Sequence, residues 1–280
     1  MRPIRFFSRR LEALFQNATV ATLPELKAAL GTAVDLTVFR KLSALPYRTS
    51  YSHRGAYYTL DTKKKELVGP FKNNGRIWSR KALPVNDPDF RSQAKGMAIP
   101  RGLYDLAANR GSVLIGTSHD TPEFAVDAIV EWWRDQGRRR YGQASELLIL
   151  ADSGGSNGAR CRLWKCALQE KLADRFELAV TVCHYPTGAS KWNPVEHRLF
   201  SEISKHWAGQ PLTDYPTAVR LIAETKTKTK TGLRVHCALS NKDYPTQIKV
   251  SDEQMAALDL LRHPIMPEWN YTLLPRINRN

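Results

Sequence analysis

The sequence predicts a mixed α/β sheet flanked by helices, with a small helical segment in front of it. Two alternating segments, at about residues 56–61 and 103–119, come before any long helical pattern. The continuous apolar run LLILA then ends in Asp152, which is typical of a central buried strand. Strand and helix patterns alternate after this point, so we expect helices to cover the sheet.

The first sixty residues predict three short helices and a hairpin. A capping box at residues 22–25 begins the second helix, and Asp35 can cap the third. Together they have the outline of a winged helix-turn-helix. In that arrangement Arg40 and Lys41 on the third helix and Arg54 in the hairpin would contact DNA. The alternative is an ordinary helical subdomain whose basic face is solvated.

The charge of the chain indicates a polyanionic partner. Its 280 residues include 42 Lys and Arg against 27 Asp and Glu, a net charge of +15. Such a surface binds phosphate backbones through counterion release. The sequence has no apolar run near the length of a membrane span and no signal-peptide pattern, so we expect a cytoplasmic, nucleoid-associated protein. The four cysteines lack a CxxC pair, which argues against structural zinc and for free thiols.

The elements of the larger segment follow in order. AYYTLD predicts a strand that ends in Asp61, and ELVGPFKNNGRIW predicts a second strand with a turn at residues 73–75 and a partner. LYDLA and GSVLIGTSH predict two further strands, followed by a helix over residues 121–137. A helix over about 157–174, the strand LAVTVCHYP and a helix that begins at Asn193-Pro194 complete the pattern.

Three acidic residues occupy special positions in this order. Asp61 and Asp152 end two strands, and Glu196 lies in the first turn of a later helix. Carboxylates at the ends of neighbouring strands meet in one crevice, where their mutual repulsion favours a divalent cation with oxygen ligands. Two Mg²⁺ or Mn²⁺ ions could then support phosphodiester chemistry. Taken singly, each residue also fits a turn or a helix terminus.

Long motifs resemble a bacterial insertion-sequence family, the Rhodopirellula-type DDE transposase domain. They include DTKKKELVGPFKNNGR, AIPRGLYDLAANRG, HDTPEFAVDAIVEWW, LILADSGGSNGARCRLWK and VCHYPTGASKWNPVEHRLFS, and they run from Asp61 to about residue 276. The resemblance implies a ribonuclease H-like fold over residues 61–276, with Asp61, Asp152 and Glu196 as the catalytic and metal-binding triad. It also implies that the partner is double-stranded DNA, in the form of transposon ends and target. The chain is implied to be a homo-oligomer when active.

Supporting residues are predicted around the triad. Lys63, Lys64 and Lys65 would hold the phosphate backbone, unless they form a solvated turn. Asn157, with the loop Gly154-Gly155, would shape the cavity beside Asp152. Lys191 and Trp192 precede Glu196; Trp192 would stack on a displaced base or anchor the core. Asp120 is expected to cap a helix.

Residues 1–60 do not resemble this family, so the sequence suggests a winged helix joined in frame to the transposase domain at Leu60/Asp61. The segment AYYTL must then serve the hairpin, the larger sheet or both. We expect the sheet to take it, because the sheet buries more apolar area. The predicted function is DNA strand cleavage and transfer. A catalytically silent DNA-binding protein or a truncated insertion-element remnant is the alternative.

Overall fold

The computed structural model of the chain describes residues 55–185, 193–228, 232–264 and 266–276. The predicted winged helix lies outside the described residues. So do five of the predicted DNA-binding residues, which are Arg40, Lys41, Arg54, Lys191 and Trp192.

One mixed sheet organises the described part of the chain. Its nine strands are β1 (Gly55–Thr62), β2 (Glu66–Val68), β3 (Gly96–Asp105), β4 (Arg110–Gly116), β5 (Glu146–Ala151), β6 (Ala179–His184), β7 (Arg234–Ser240), β8 (Leu260–Arg262) and β9 (Asn270–Leu273). The strand order is β7-β4-β3-β1-β5-β6-β9-β8, with β2 beside β3. Strands β1, β3 and β4 are antiparallel to their neighbours in this group, whereas β1, β5 and β6 are parallel. The mixed sheet that the sequence predicted is confirmed.

Helices cover both faces of this sheet. They are α1 (Pro122–Trp132, continued to Arg140), α2 (Arg162–Leu168, continued to Asp174), α3 (Glu196–Phe200 followed by Ser201–His206), α4 (Tyr215–Ala223) and α5 (Asp252–Ala256). Helices α1 and α2 pack over one hydrophobic core, and α3 and α4 pack over a second one on other strand residues. The alternation of side chains along each strand supplies both cores.

Strand β1 lies in the middle of the sheet. It pairs with β3 on one side and β5 on the other. The prediction that the larger sheet takes the segment AYYTL is therefore confirmed. Ala56, Tyr58 and Leu60 are fully buried against α1 and α2. The ring of Tyr58 packs on Trp132 with centroids 4.6 Å apart. This burial explains why a strand with two tyrosines can occupy a central position.

The second predicted strand and its hairpin are wrong. Only Glu66–Val68 forms a strand, and residues 73–75 do not join two strands. Gly69 has a φ of +148° and precedes a proline, which ends the pairing with β3. The side chain of Asn73 then donates to the carbonyls of Trp207 and Gln210, at 3.4 and 3.3 Å. The segment is therefore tied to the end of α3.

None of the four cysteines, all of which lie in the described part of the chain, forms a disulfide. Across the residues that the structure describes, no helix combines the length and apolar character that a membrane crossing requires.

Candidate active site

Asp61 and Asp152 lie side by side at one edge of the sheet. In the parallel pair β1–β5, Leu60 is opposite Ala151; Asp61 is the next residue of β1, and Asp152 comes directly after the end of β5. Adjacent strands are about 4.8 Å apart, so this register brings the two carboxylates to neighbouring positions. The backbone N–H of Thr62 donates to Asp61 Oδ1 at 2.7 Å. Strand β1 therefore places Asp61 beside Asp152, as we expected if the sheet takes this segment.

Glu196 reaches the same edge from helix α3. Pro194 is in the first turn, where its fixed φ suits a helix start. One turn further on, the Phe200 ring occupies the space beside Gly102, the residue paired with Asp61; a Cβ at Gly102 would overlap that ring. A glycine is thus required for α3 to pack closely on β3. This contact sets the spacing between α3 and β3, and with it the position of Glu196 relative to the sheet.

Asn193 links this helix start to the first aspartate. Its side chain is fully buried, and its Nδ2 donates to Asp61 Oδ2 at 3.1 Å. The Thr59 hydroxyl donates to Asn193 Oδ1 at 2.6 Å, which leaves the amide nitrogen facing the carboxylate. Thr59 therefore sets the orientation of the amide, and both oxygens of Asp61 accept a hydrogen bond.

Asn157 holds Asp152 in the same manner. Its Nδ2 donates to Asp152 Oδ1 at 2.7 Å, while its Oδ1 accepts from Arg101 Nη1 at 2.8 Å. Gly155 has a φ of +66° in the short turn that presents Asn157, a conformation that favours glycine. The predicted role of Asn157 and the glycine loop beside Asp152 is consistent with these contacts.

Arg101 is a site residue that the sequence reasoning missed. Its side chain is 0% exposed, and its Nη2 donates to Asp120 Oδ1 at 2.7 Å and also to the Ser156 hydroxyl. The prediction that Asp120 caps α1 is wrong, because Thr121 is the cap and accepts from the backbone of Phe124. The signal that could have revealed Arg101 is a lone cation within the apolar strand GMAIPRGLYD.

His184 supports Asp152 from β6. Its Nδ1 donates to the Asp152 carbonyl oxygen at 2.7 Å, and its Nε2 lies 3.3 Å from the Tyr271 hydroxyl, which can donate to it. Burial lowers the pKa of His184 to about 4, so the ring is neutral near pH 7. The hydrogen bond from the neutral ring holds the Asp152 carbonyl, and therefore the backbone directly after β5, in place.

The pKa values of the three acidic residues are all raised. Burial raises the pKa of Asp61 to about 7, the nearby Asp152 adds to this rise, and Glu196 adds a smaller part. Burial also raises the pKa of Asp152 and of Glu196. The Arg101 guanidinium opposes the rise at both aspartates. The three carboxylates thus share one electrostatic environment in which negative charge is not fully compensated.

This donor set fits a hard divalent cation. All its ligand atoms are carboxylate oxygens, which Mg²⁺ and Mn²⁺ prefer, and a cation would relieve the repulsion that raises the pKa of Asp61. Within the described ranges, no three Asp, Glu, His or Cys side chains already stand close enough to hold an ion. The chemistry of the site therefore fits a metal. In this structure the side-chain amides of Asn193 and Asn157 donate hydrogen bonds to the two aspartates.

The three predicted lysines have different roles. The Lys63 side chain is only 8% exposed; its ammonium pairs with Glu66 at 2.9 Å and lies 4.6 Å from the centre of the Trp207 ring. Its charge is therefore already paired, and its role as a phosphate contact stays a prediction. Lys64 and Lys65 are exposed and line a cavity of about 370 Å³, together with Lys72 and Arg91.

Comparison with known proteins gives one family. The family model described as the Rhodopirellula transposase DDE domain matches residues 38–275, which includes β1 in full and 17 residues before it. The prediction that the family resemblance begins only at Asp61, with a break at Leu60/Asp61, is therefore wrong. A search of curated proteins finds no match.

Solved structures with a similar arrangement are complexes of the Mos1 transposase. The paired-end complex with the left transposon end has a TM-score of 0.44 at 13% identity, covering 78% of this chain and 70% of that chain. The Mos1 strand transfer complex has a TM-score of 0.42 at 12% identity, covering 78% and 69%. The Mos1 mariner paired-end complex with Mn has a TM-score of 0.41 at 14% identity, covering 78% and 70%.

Proposed function

Because the chain belongs to the family of the Rhodopirellula transposase DDE domain, we propose that Asp61, Asp152 and Glu196 are its catalytic triad. Membership in this family makes the chain a DDE transposase domain, an enzyme of the polynucleotidyl transferase type. The observation that carries the assignment of residues is the register of β1 and β5, which sets Asp61 beside Asp152. The shared rise in the pKa of all three acids supports it.

The three carboxylates would hold Mg²⁺ or Mn²⁺, as two ions. Bound there, the ions supply Lewis acidity for an attacking oxygen and a leaving oxygen of a phosphodiester. The chain's own part is preorganisation: Asn193 fixes Asp61, and Asn157 fixes Asp152, so neither carboxylate has to be ordered during the reaction. A proton on Asp61 must leave before the carboxylate can act as a full ligand.

The partner that we propose is double-stranded DNA, as transposon ends and as target. Lys64, Lys65, Lys72 and Arg91 line one cavity that follows directly after β1, where a phosphate backbone could approach the triad. We further propose that residues 1–60 are a DNA-binding segment that acts through Arg40, Lys41 and Arg54. Lys191 and Trp192 are proposed DNA contacts beside Glu196. A homo-oligomer and a cytoplasmic, nucleoid-associated location belong to the same proposal.

The test is metal-dependent cleavage of labelled duplexes that carry the ends of the element encoding the chain. We expect cleavage with Mg²⁺ or Mn²⁺ and a loss of at least about a hundredfold in Asp152→Asn, because a metal ligand is removed. Asp243→Asn is the matched control, since it makes the same chemical change at an exposed position. Cleavage that is absent in the unchanged chain would favour the alternative, a catalytically silent DNA-binding protein or insertion-element remnant. Equal cleavage by Asp152→Asn and the unchanged chain would refute the triad.

A further inference from the structure

A second basic cavity lies away from the carboxylates, where β4 and β7 begin and α1 ends. It has a volume of about 490 Å³, and four arginines line it, which are Arg110, Arg139, Arg140 and Arg234. His236 and Gln136 complete the polar lining. The arginines come from three separate elements, which are β4, β7 and the continuation of α1.

This cavity is at the far end of strand β3 from the lysine cavity. Met97, near the start of β3, lines the lysine cavity, whereas Arg110 pairs with Asp105 at the end of β3. The eight residue steps from Met97 to Asp105 span about 26 Å at 3.3 Å per residue. That length corresponds to roughly 8 base pairs of duplex at 3.4 Å per pair. The two cavities are therefore separate sites.

The positive charge of this cavity is only partly neutralised. Arg140 pairs with Asp105 at 3.2 Å, and Arg110 donates to the carbonyls of Asn109 and Gly232. Arg139 and Arg234 are exposed, and among the residues that the structure describes neither has an ion pair.

The end of a helix explains only some of these arginines. Arg138, Arg139 and Arg140 fall in the last turn that continues α1, where cations complement the helix dipole. Arg110 and Arg234 belong to paired strands, in register with each other, and gain nothing from that dipole. The two strands thus add positive charge to the same concavity as the helix end, and a bound anion would relieve the repulsion among these charges.

We propose that this arginine cavity binds the sugar–phosphate backbone of DNA, at a point separate from the DNA held at the carboxylates. Guanidinium groups suit this ligand because their forked donors match phosphate oxygens. The proposal rests on the proposed function for the identity of the partner. It adds a second backbone contact that would hold a distant part of the same duplex.

The test measures DNA binding without divalent metal, so that no cleavage occurs. Fluorescence anisotropy would follow a labelled duplex of about 30 base pairs, long enough to span both cavities at 3.4 Å per pair. The variant is Arg139→Gln with Arg234→Gln. The matched control is Arg175→Gln with Arg220→Gln, which removes the same charge from exposed positions that do not line the cavity.

We expect the plot of log K against log salt to lose about 1.8 units of slope in the cavity variant, since each phosphate contact contributes about 0.9. At 0.1 M salt this corresponds to a loss of affinity of up to about sixtyfold. The control should keep the slope of the unchanged chain. An unchanged slope in the cavity variant, or an equal loss in the control, would overturn the proposal. Melting temperatures would verify that both variants are folded.

The binding assay and the cleavage assay together separate this proposal from the proposed triad. If element ends are not cleaved but the cavity variant still loses slope, only the triad fails. If cleavage depends on Asp152 but the slope does not change, only the cavity proposal fails.

Discussion

Arg101→Met should destabilise the fold strongly, because the buried Arg101 guanidinium bonds both Asn157 and Asp120. The substitution keeps an unbranched apolar stem and removes the guanidinium with its bonds to Asn157, Asp120 and Ser156. Breaking a buried ion pair typically costs 3–5 kcal/mol. Asp120 is 19% exposed and keeps the Ser156 hydroxyl as a donor at 3.0 Å, so we expect about 3 kcal/mol, at the lower end of that range.

Urea unfolding would measure this cost, provided that the m-value stays constant. Arg220→Met is the control, since its pair with Glu224 is exposed and should be worth less than about 1 kcal/mol. Adding Asp120→Asn to Arg101→Met should recover part of the loss, because an uncompensated carboxylate is removed. A loss below about 1 kcal/mol in Arg101→Met, or a double variant no more stable than the single one, would refute the reasoning.

Three further predictions concern the groups around the aspartates. Asn193→Ala should cost about 1–3 kcal/mol in urea unfolding, because the buried Thr59 hydroxyl loses its acceptor; an unchanged stability would contradict the buried contact. Asp61 has a pKa of about 7 in the fold and near 4 when unfolded, so its own contribution to metal-free stability should fall as pH rises from about 4 to 7, by up to about 4 kcal/mol. This contribution is the difference in unfolding free energy between the unchanged chain and Asp61→Asn, and Mg²⁺ should restore it at pH 7 and above; a difference that does not change with pH would count against the raised pKa. His184 has a folded pKa of about 4 against an unfolded value near 6.5, so its own contribution, measured against His184→Phe, should be lost as pH falls through that window. His184→Phe should remove this acid-side loss and cost about 1–3 kcal/mol at pH 7, since the Asp152 carbonyl loses its donor; if the acid-side loss persists in the variant, another group causes it.

The sheet and the positions of the acids follow from local patterns in the sequence. LLILA is apolar throughout because β5 is buried on both faces, and Asp152 comes directly after it. Asn193-Pro194 identifies the start of α3, so Glu196 can be assigned to its first turn without a structure. These features depend on strand burial and helix capping, which act over a few residues.

The residues that orient the acids depend on long-range contacts instead. Thr59 and Asn193 are 134 positions apart, and Arg101 and Asn157 are 56 apart. No local pattern reports which residue an amide faces, although a buried cation in β3 requires some partner. The hairpin prediction near residue 73 failed for the same reason, because Asn73 bonds to carbonyls at the end of α3.

A crystal structure of the chain soaked in Mn²⁺ would test the central claim most directly, because anomalous scattering locates the ion independently of activity. The account predicts a peak at roughly 2 Å from a carboxylate oxygen of Asp61 and from one of Asp152, with Glu196 on the same ion or on a second ion about 4 Å away. Mn²⁺ bound elsewhere while Asp61 and Asp152 share no ion would contradict it.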